Sequence, residues 1–465
     1  MAAIAIVGAG PAGFYAAEAL KLADEALEVH LYDRQPVPFG LTRFGIAPDH
    51  QRLKAPAQVF QRIGSLPGMR FFGDVEVGRD LSLDELRAAY PAVLLSHGAQ
   101  ADEDLRIAGA EPGRVRAARE LVSWYNGVPD VPAGEFDLQQ EDVVIIGNGN
   151  VAIDIARILC RPVQELAATD ISDRALQALA CSRVRRVHLI GRRGPVQAKF
   201  TTRELRELGE LPGVGLHVAA ADLEVGEACE AELAHPSADA VRRNLELMRG
   251  WAGQPPGPEA HRELHLRFGL VAEAMEQDAH GQRWLVLQRM RMHGAPFAQT
   301  LQPTGERVRL RCDLVIASIG FRVTSLPGLD LRCRPGLPNL QGRVLDGQGA
   351  PMPGLYVAGW ARRGPSGVLG TNRACAQETV QAMLADRSRW PQPRSGALED
   401  LLGRLDARRW RPVGWDDWLV LDELERQAGS ASGRPRVKFD ERGTLRAALA
   451  RAAVPLSVNL PAAAE

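Results

Sequence analysis

The chain has 465 residues, 45% of them hydrophobic and 24% charged. That is a globular composition, long enough for two to three domains with a large core, and it excludes a disordered or low-complexity protein. Its 56 basic and 57 acidic residues leave a formal charge of −1, which excludes a whole-chain electrostatic preference for nucleic acid or an anionic membrane.

The first predicted strand is the apolar run Ala3-Ile4-Ala5-Ile6-Val7. It leads directly into Gly8-Ala9-Gly10-Pro11-Ala12-Gly13 and a helix over about 11–22. Glycines at a strand-to-helix turn allow the backbone to approach a pyrophosphate seated at the helix N-terminus. The next strand, 28–32, ends on Asp33. A carboxylate there accepts hydrogen bonds from a ribose diol and repels a 2′-phosphate. A long segment follows from Gln35 to His50, then a helix to about residue 63 and a short buried strand at 92–96.

A second unit opens with the strand 143–146 and Gly147-Asn148-Gly149-Asn150-Val151-Ala152, followed by a helix over about 150–159. An extra helical insertion is expected at 162–182. It delays the next strand, 186–190, which ends in Gly191-Arg192-Arg193, so that the arginine pair arrives 45 residues after Gly147. The arginine pair suits a 2′-phosphate. One chain is thus expected to hold an unphosphorylated adenine dinucleotide and NADP(H). The economical pairing is FAD with NADPH, which implies redox catalysis.

Residues 219–283 read as polar and helical, with a break at Gln254-Pro255-Pro256-Gly257-Pro258. Strands at 283–291 and 308–319 complete the second domain. A buried strand and loop, Leu355-Tyr356-Val357-Ala358-Gly359-Trp360, precede a helix from about Asn372. The tail, 410–448, has amphipathic stretches around a linker, Gly429-Ser430-Ala431-Ser432-Gly433. The six cysteines (160, 181, 229, 312, 333 and 375) form no C-x-x-C, so neither a dithiol relay nor an iron–sulfur cluster is supported, and no metal site is assigned. With the first strand so near Met1 and no apolar stretch long enough to span a bilayer, the expectation is a cytoplasmic protein without membrane insertion.

Four stretches together resemble the adrenodoxin-reductase family of ferredoxin–NADP reductases: Val37-Pro38-Phe39-Gly40-Leu41-Thr42-Arg43-Phe44-Gly45-Ile46-Ala47-Pro48-Asp49-His50, then 147–159, then Gly191-Arg192-Arg193-Gly194-Pro195, and finally Gly359-Trp360-Ala361-Arg362-Arg363-Gly364-Pro365-Ser366-Gly367-Val368. The resemblance runs almost end to end. It implies an α/β fold of two Rossmann-like nucleotide-binding domains, with the NADP domain (106–321) inserted into a discontinuous FAD domain (1–105 and 322–465). It implies that Ala12, Asp33, Leu41, Val77, Trp360 and Gly367-Val368-Leu369 contact FAD, beside Gly8, Gly10, Pro11, Gly13 and Gly359. Asn148-Gly149-Asn150-Val151, Arg192, Arg193, Glu204 and Gly367 would contact NADP, with Gly147 in the turn. A carboxylate cannot attract a phosphate, so Glu204 is expected to accept a ribose hydroxyl or to orient an arginine.

The resemblance places His50, Asp154 and Glu207 near the flavin as candidate catalytic groups. Structural alternatives are a loop histidine, a helix-dipole acid and a solvent-facing glutamate. The implied reaction is hydride transfer between NADPH and FAD, then single-electron transfer to a small acidic iron–sulfur protein, a 2Fe-2S or related ferredoxin, that feeds a P450 or oxygenase. A monomer is expected. Candidate docking surface is Arg242, Arg243 and Arg249, with Arg203 and Arg206. A thioredoxin-reductase-like enzyme would need the missing C-x-x-C. A flavin monooxygenase or diaphorase, and a non-catalytic NADPH-sensing flavoprotein, would share both fingerprints.

Overall fold

The computed structural model describes residues 3–131, 136, 138–254, 257 and 260–453. Pro255, Pro256 and Pro258 of the expected break lie outside the described residues.

The first sheet is built around strand Ala3–Val7, whose five residues are all buried. Such an uninterrupted apolar run is what a parallel strand covered on both faces requires. Glu28–Asp33 and Met69–Gly73 extend the sheet on one side and Val93–Leu95 on the other, all parallel. Strand Pro351–Val357 then joins Val93–Leu95 in parallel, with Leu355 opposite Val93. A C-terminal segment therefore completes a sheet begun by the N-terminus. The antiparallel strands Arg343–Leu345 and Asn339–Leu340 close that edge.

The second sheet has six parallel strands in the order Val115–Ala117, Leu314–Ala317, Asp142–Ile146, Arg186–Gly191, Arg262–Phe268, Val214–Val218. Helices Ala118–Tyr125 and Asn150–Cys160 pack on one face. An antiparallel three-stranded sheet, Leu270–Gln277, Arg283–His293 and Thr300–Arg311, sets Leu270, Leu285 and Leu287 against Val144, Ile146 and Ile190 on the other. The chain passes between the two large sheets twice, and the two passages pair as an antiparallel ribbon, Ala101–Asp102 with Phe321–Arg322.

Three expectations need correction. Residues 219–283 are not helical throughout: after helices Glu227–Ala234 and Asp239–Trp251 come strands Arg262–Phe268 and Leu270–Gln277. In the first of these Leu264, Leu266 and Phe268 alternate inward, and charged neighbours hide the period of two. The single strand expected at 308–319 is two, separated at Cys312 and Asp313. The expected linker at 429–433 is no linker, because helix Trp415–Ala431 runs through Gly429. A Cβ on Gly429 would collide with the backbone of Arg436, so this glycine marks a close chain crossing.

That helix braces the family-like segment 37–50. Glu425 accepts from Arg43 at 2.6 Å, from Arg436 at 3.1 Å and from the Phe439 amide at 3.1 Å. The Arg43 guanidinium lies 5.2 Å from both the Phe44 and Trp418 ring centres.

Three of the four lysines are also structural. Lys21 is buried and donates to the Glu25 and Leu27 carbonyls. Lys54 (2.6 Å) and Lys438 (2.9 Å) converge on buried Asp170, whose carboxyl they hold well below the usual carboxylate range.

Candidate active site

In the first fingerprint Gly8 has φ +108°, and a Cβ there would sit 2.6 Å from the Ser96 carbonyl oxygen. A Cβ on Gly13 would collide with the Gly8 carbonyl. Pro11 occupies the first turn of helix Pro11–Ala23, where its missing N–H costs nothing. Gly40 (φ +48°) brings the segment 37–50 against the turn, so a Cβ there would lie 3.0 Å from Gly10 Cα. Asp33 accepts from the Ala9 amide and the Gln35 amide, each at 2.8 Å. It thus fixes the glycine turn, with burial raising its pKa. Val77 and Ala12 are buried, while Leu41 is 45% exposed.

The second fingerprint repeats the design. Gly147 has φ +139°, and a Cβ there would collide with the Ser318 carbonyl. The Asn148 side chain lies over Gly191, where a Cβ would displace it. The Lys199 amide donates to the Asn148 carbonyl at 2.8 Å, and the Thr201 amide to Asn150 Oδ1 at 2.8 Å. The segment after the arginine pair therefore folds back onto the fingerprint. Gly149 and Val151 flank the start of helix Asn150–Cys160, with free space where a Gly149 side chain would be. Arg192, Arg193 and Lys199 are all exposed, and their side chains make no hydrogen bond or ion pair among the described residues. In a protein whose arginines are mostly paired, that leaves three cations without a bonded partner beside the turn, though the charge of Arg193 is felt by Glu232.

His50, from the first-sheet segment, meets the candidate acids of the second. His50 Nε2 lies 2.6 Å from Glu207 Oε2 and 3.7 Å from Glu204 Oε2, and its Nδ1 lies 3.9 Å from Asp154 Oδ1. At the centre is Arg157, which the sequence reading did not single out. It is fully buried. It donates to Asp49 at 2.6 and 3.0 Å, to Asp154 at 2.8 Å and to Glu204 at 3.3 Å. Glu204 thus engages a buried arginine that lies away from the exposed Arg192-Arg193 pair. The only sequence signal for Arg157 was its three-residue spacing from Asp154, which reads as ordinary helix surface. Burial, ahead of every other influence, raises Asp154 to about 6, while Arg157 holds Asp49 low against burial. The cluster mixes a protonatable carboxyl, an imidazole and fixed charges where the two sheets approach each other.

The returning C-terminal segment completes the site. Gly359 (φ +69°) packs so tightly on the first fingerprint that a Cβ would lie 2.5 Å from Ala12 Cβ. Trp360 stacks on Phe321 of the crossing ribbon, with centroids 6.0 Å apart. Arg363 donates to the Ser366 carbonyl (2.7 Å) and to Asn372 (2.9 Å), and so shapes the turn through Gly367. Val368 is 68% exposed and Leu369 opens helix Leu369–Ala385. Leu41 and Val368 are therefore apolar side chains displayed where the sequence reading expects a flavin.

Of the expected docking residues, Arg206, Arg243 and Arg249 are exposed on two packed helices, Thr202–Gly209 and Asp239–Trp251. Arg203 pairs with Glu207 at 3.2 Å. Arg242 departs from the expectation of a free cation: it is tied to the Leu233 and His235 carbonyls and to Asp239.

Residues 6–74 match a family model described as an NAD(P)-binding Rossmann-like domain. The chain is 40% identical to the mitochondrial NADPH:adrenodoxin oxidoreductase of Homo sapiens, over 94% of this chain and 89% of that protein. It is 38% identical to NADPH-ferredoxin reductase FprA of Mycobacterium tuberculosis, over 94% and 96%. The chain belongs to the adrenodoxin-reductase family. The solved structure of FprA in complex with NADPH superposes with a TM-score of 0.86 at 35% identity, covering 97% of this chain and 99% of that one.

The family's two cofactors fit the residues present. The turn at Gly8–Gly13 and the carboxylate of Asp33 form a cradle that side chains would fill, as FAD requires. The turn at Gly147–Val151, with unpaired Arg192 and Arg193 alongside, suits a phosphorylated nucleotide. All six cysteines are free thiols. Among the described residues no helix is long and apolar enough to cross a membrane.

Proposed function

We propose that the chain is an NADPH-dependent ferredoxin reductase, divided as FAD domain 1–105, NADP domain 106–321 and FAD domain 322–465. The observation that carries this reading is the pair of strand–turn–helix fingerprints with opposite chemistry at the next strand's end, Asp33 in one and unpaired Arg192-Arg193 in the other. When held in these two sites, NADPH would provide hydride chemistry and FAD the conversion of a two-electron donor into a one-electron one.

The chain's own residues bind and orient. Gly8, Gly10, Pro11, Ala12, Gly13 and Asp33 hold the FAD adenosine and pyrophosphate. Leu41, Val77, Gly359, Trp360, Gly367, Val368 and Leu369 complete the FAD contacts and exclude water. Gly147-Asn148-Gly149-Asn150-Val151 take the NADP pyrophosphate, Arg192 and Arg193 the 2′-phosphate. His50, Asp154 and Glu207 set protonation and charge at the junction, with Glu204 acting through Arg157. The acceptor is an acidic iron–sulfur ferredoxin that docks on the face carrying Arg206, Arg243 and Arg249 and passes electrons to a P450 or other oxygenase. The reductase works as a cytoplasmic monomer.

The test is a pair of half-reactions. The purified protein should hold one non-covalent FAD, be reduced anaerobically by NADPH, and then reduce cytochrome c only slowly until a 2Fe-2S ferredoxin is added. Extracted FMN in place of FAD, or a stable oxygenated flavin with no response to ferredoxin, would overturn the proposal.

A further inference from the structure

The second sheet carries a polar row across its last three strands. In the parallel register Val144 stands opposite His188, His188 opposite His265, and His265 opposite His217. Those side chains share one face of the sheet. The imidazoles stack, with centroids 4.6 Å apart for His188 and His265 and 4.5 Å for His217 and His265, at interplanar angles of 21° and 11°. Glu263, two residues before His265 and so on the same face, places Oε2 3.1 Å from His265 Nε2.

One atom of each of His217, Glu263 and His265 lies within 4.8 Å of the other two. Among the described residues His217 Nε2 is buried without a hydrogen-bond partner, as is His188 Nδ1. A buried nitrogen left unpaired costs free energy that a bound cation recovers. His217 and His265 border a cleft of about 440 Å³ that Gly253, Gln254 and Arg267 also line. Arg267 is drawn toward Asp222, Nε to Oδ2 3.6 Å, which turns its charge to a carboxylate. Glu263 is exposed, which gives an ion an entry path.

We propose that His217, His265 and Glu263 form a site for a divalent transition-metal ion of the zinc class, with His188 stacked behind His265 as its support. The two imidazole nitrogens, borderline donors, select Zn²⁺, Co²⁺ or Ni²⁺ over Mg²⁺ and Ca²⁺, and the harder carboxylate oxygen supplies the negative charge. Bonds of about 2.0–2.2 Å place tetrahedral ligand atoms roughly 3.4 Å apart. Rotation of the half-exposed His217 ring and the exposed Glu263 carboxylate closes that gap. The fourth position faces the cleft. The ion would clamp the edge strand Val214–Val218 to Arg262–Phe268, and through that strand brace Gly269, whose amide donates to the Arg193 carbonyl at 3.1 Å.

The experiment uses chelator-treated holoenzyme titrated with Co²⁺, followed by visible absorption, with Zn²⁺ displacing it and Mg²⁺ as control. One equivalent of Co²⁺ should bind with the spectrum of a nitrogen–oxygen site, and Zn²⁺ should raise the melting temperature. Both effects should vanish in His217→Gln/His265→Gln, and the affinity should fall about tenfold in Glu263→Gln, whose exposed position leaves folding intact. Both should persist in Glu207→Gln. Absence of binding by the parent protein overturns the proposal. So does binding that survives His217→Gln/His265→Gln and is lost in Glu207→Gln, which would put the ion among His50, Glu204 and Glu207.

Discussion

Arg157→Met removes one fully buried guanidinium and leaves Asp49, Asp154 and Glu204 around the gap. Each lost charge-assisted bond is worth about 1.5–3 kcal/mol. The total is smaller than their sum, because Asp154, already raised to about 6, takes up a proton once its counter-ion is gone. Removing one partner from a buried ion pair costs about 3–5 kcal/mol. That corresponds to roughly two to four orders of magnitude in the folded-to-unfolded ratio at neutral pH. The assay is urea unfolding of the FAD-loaded protein by circular dichroism, comparing Arg157→Met, Glu204→Gln and the double variant. The two changes should be strongly non-additive, since Glu204→Gln relieves a charge that only the variant leaves uncompensated. A loss below about 1 kcal/mol for Arg157→Met, or simple additivity with Glu204→Gln, would refute the reasoning.

Arg192→Ala with Arg193→Ala should weaken NADPH binding by about 1.5–3 kcal/mol per residue and leave NADH use nearly unchanged, measured as the two Michaelis constants; equal losses for both would refute a 2′-phosphate role. Asp154 titrates higher folded than its ordinary 3.8, so the stability it contributes is present below that pH and is lost as pH rises toward about 6. Asp154→Asn should flatten that part of a melting-temperature profile, and an unchanged slope would contradict the assignment. Arg206→Glu with Arg243→Glu should slow ferredoxin-coupled cytochrome reduction at low salt and spare anaerobic flavin reduction by NADPH, because salt screens such steering over about 8 Å at physiological strength. If both half-reactions slow together, the exchange has damaged the nucleotide site instead.

What could be read from the sequence was whatever depends on neighbours in the chain. Both glycine turns, the apolar strands before them and the helices after them are local patterns, and the buried run at Leu355–Val357 announced a strand needing partners elsewhere. The central arginine could not be read, because Arg157 is defined by Asp49 and Glu204, which lie 108 and 47 residues away. Gly429 misled for the same reason: its small size serves a crossing with Arg436, and helix packing outweighed its turn propensity. Strand Arg262–Phe268 was hidden because its outward positions carry charge and histidine in place of neutral polar residues.

The enclosure of three lysines gives the protein an unusual chemical handle. Lys21, Lys54 and Lys438 are engaged with carbonyls or with Asp170, so an amine-directed acylating reagent meets Lys199 as the accessible side-chain amine of the folded protein. A lysine-specific protease should likewise cut the native protein there first. A dye attached at that position would sit beside the Asn148 turn, and its fluorescence would report nucleotide arrival without any engineered cysteine.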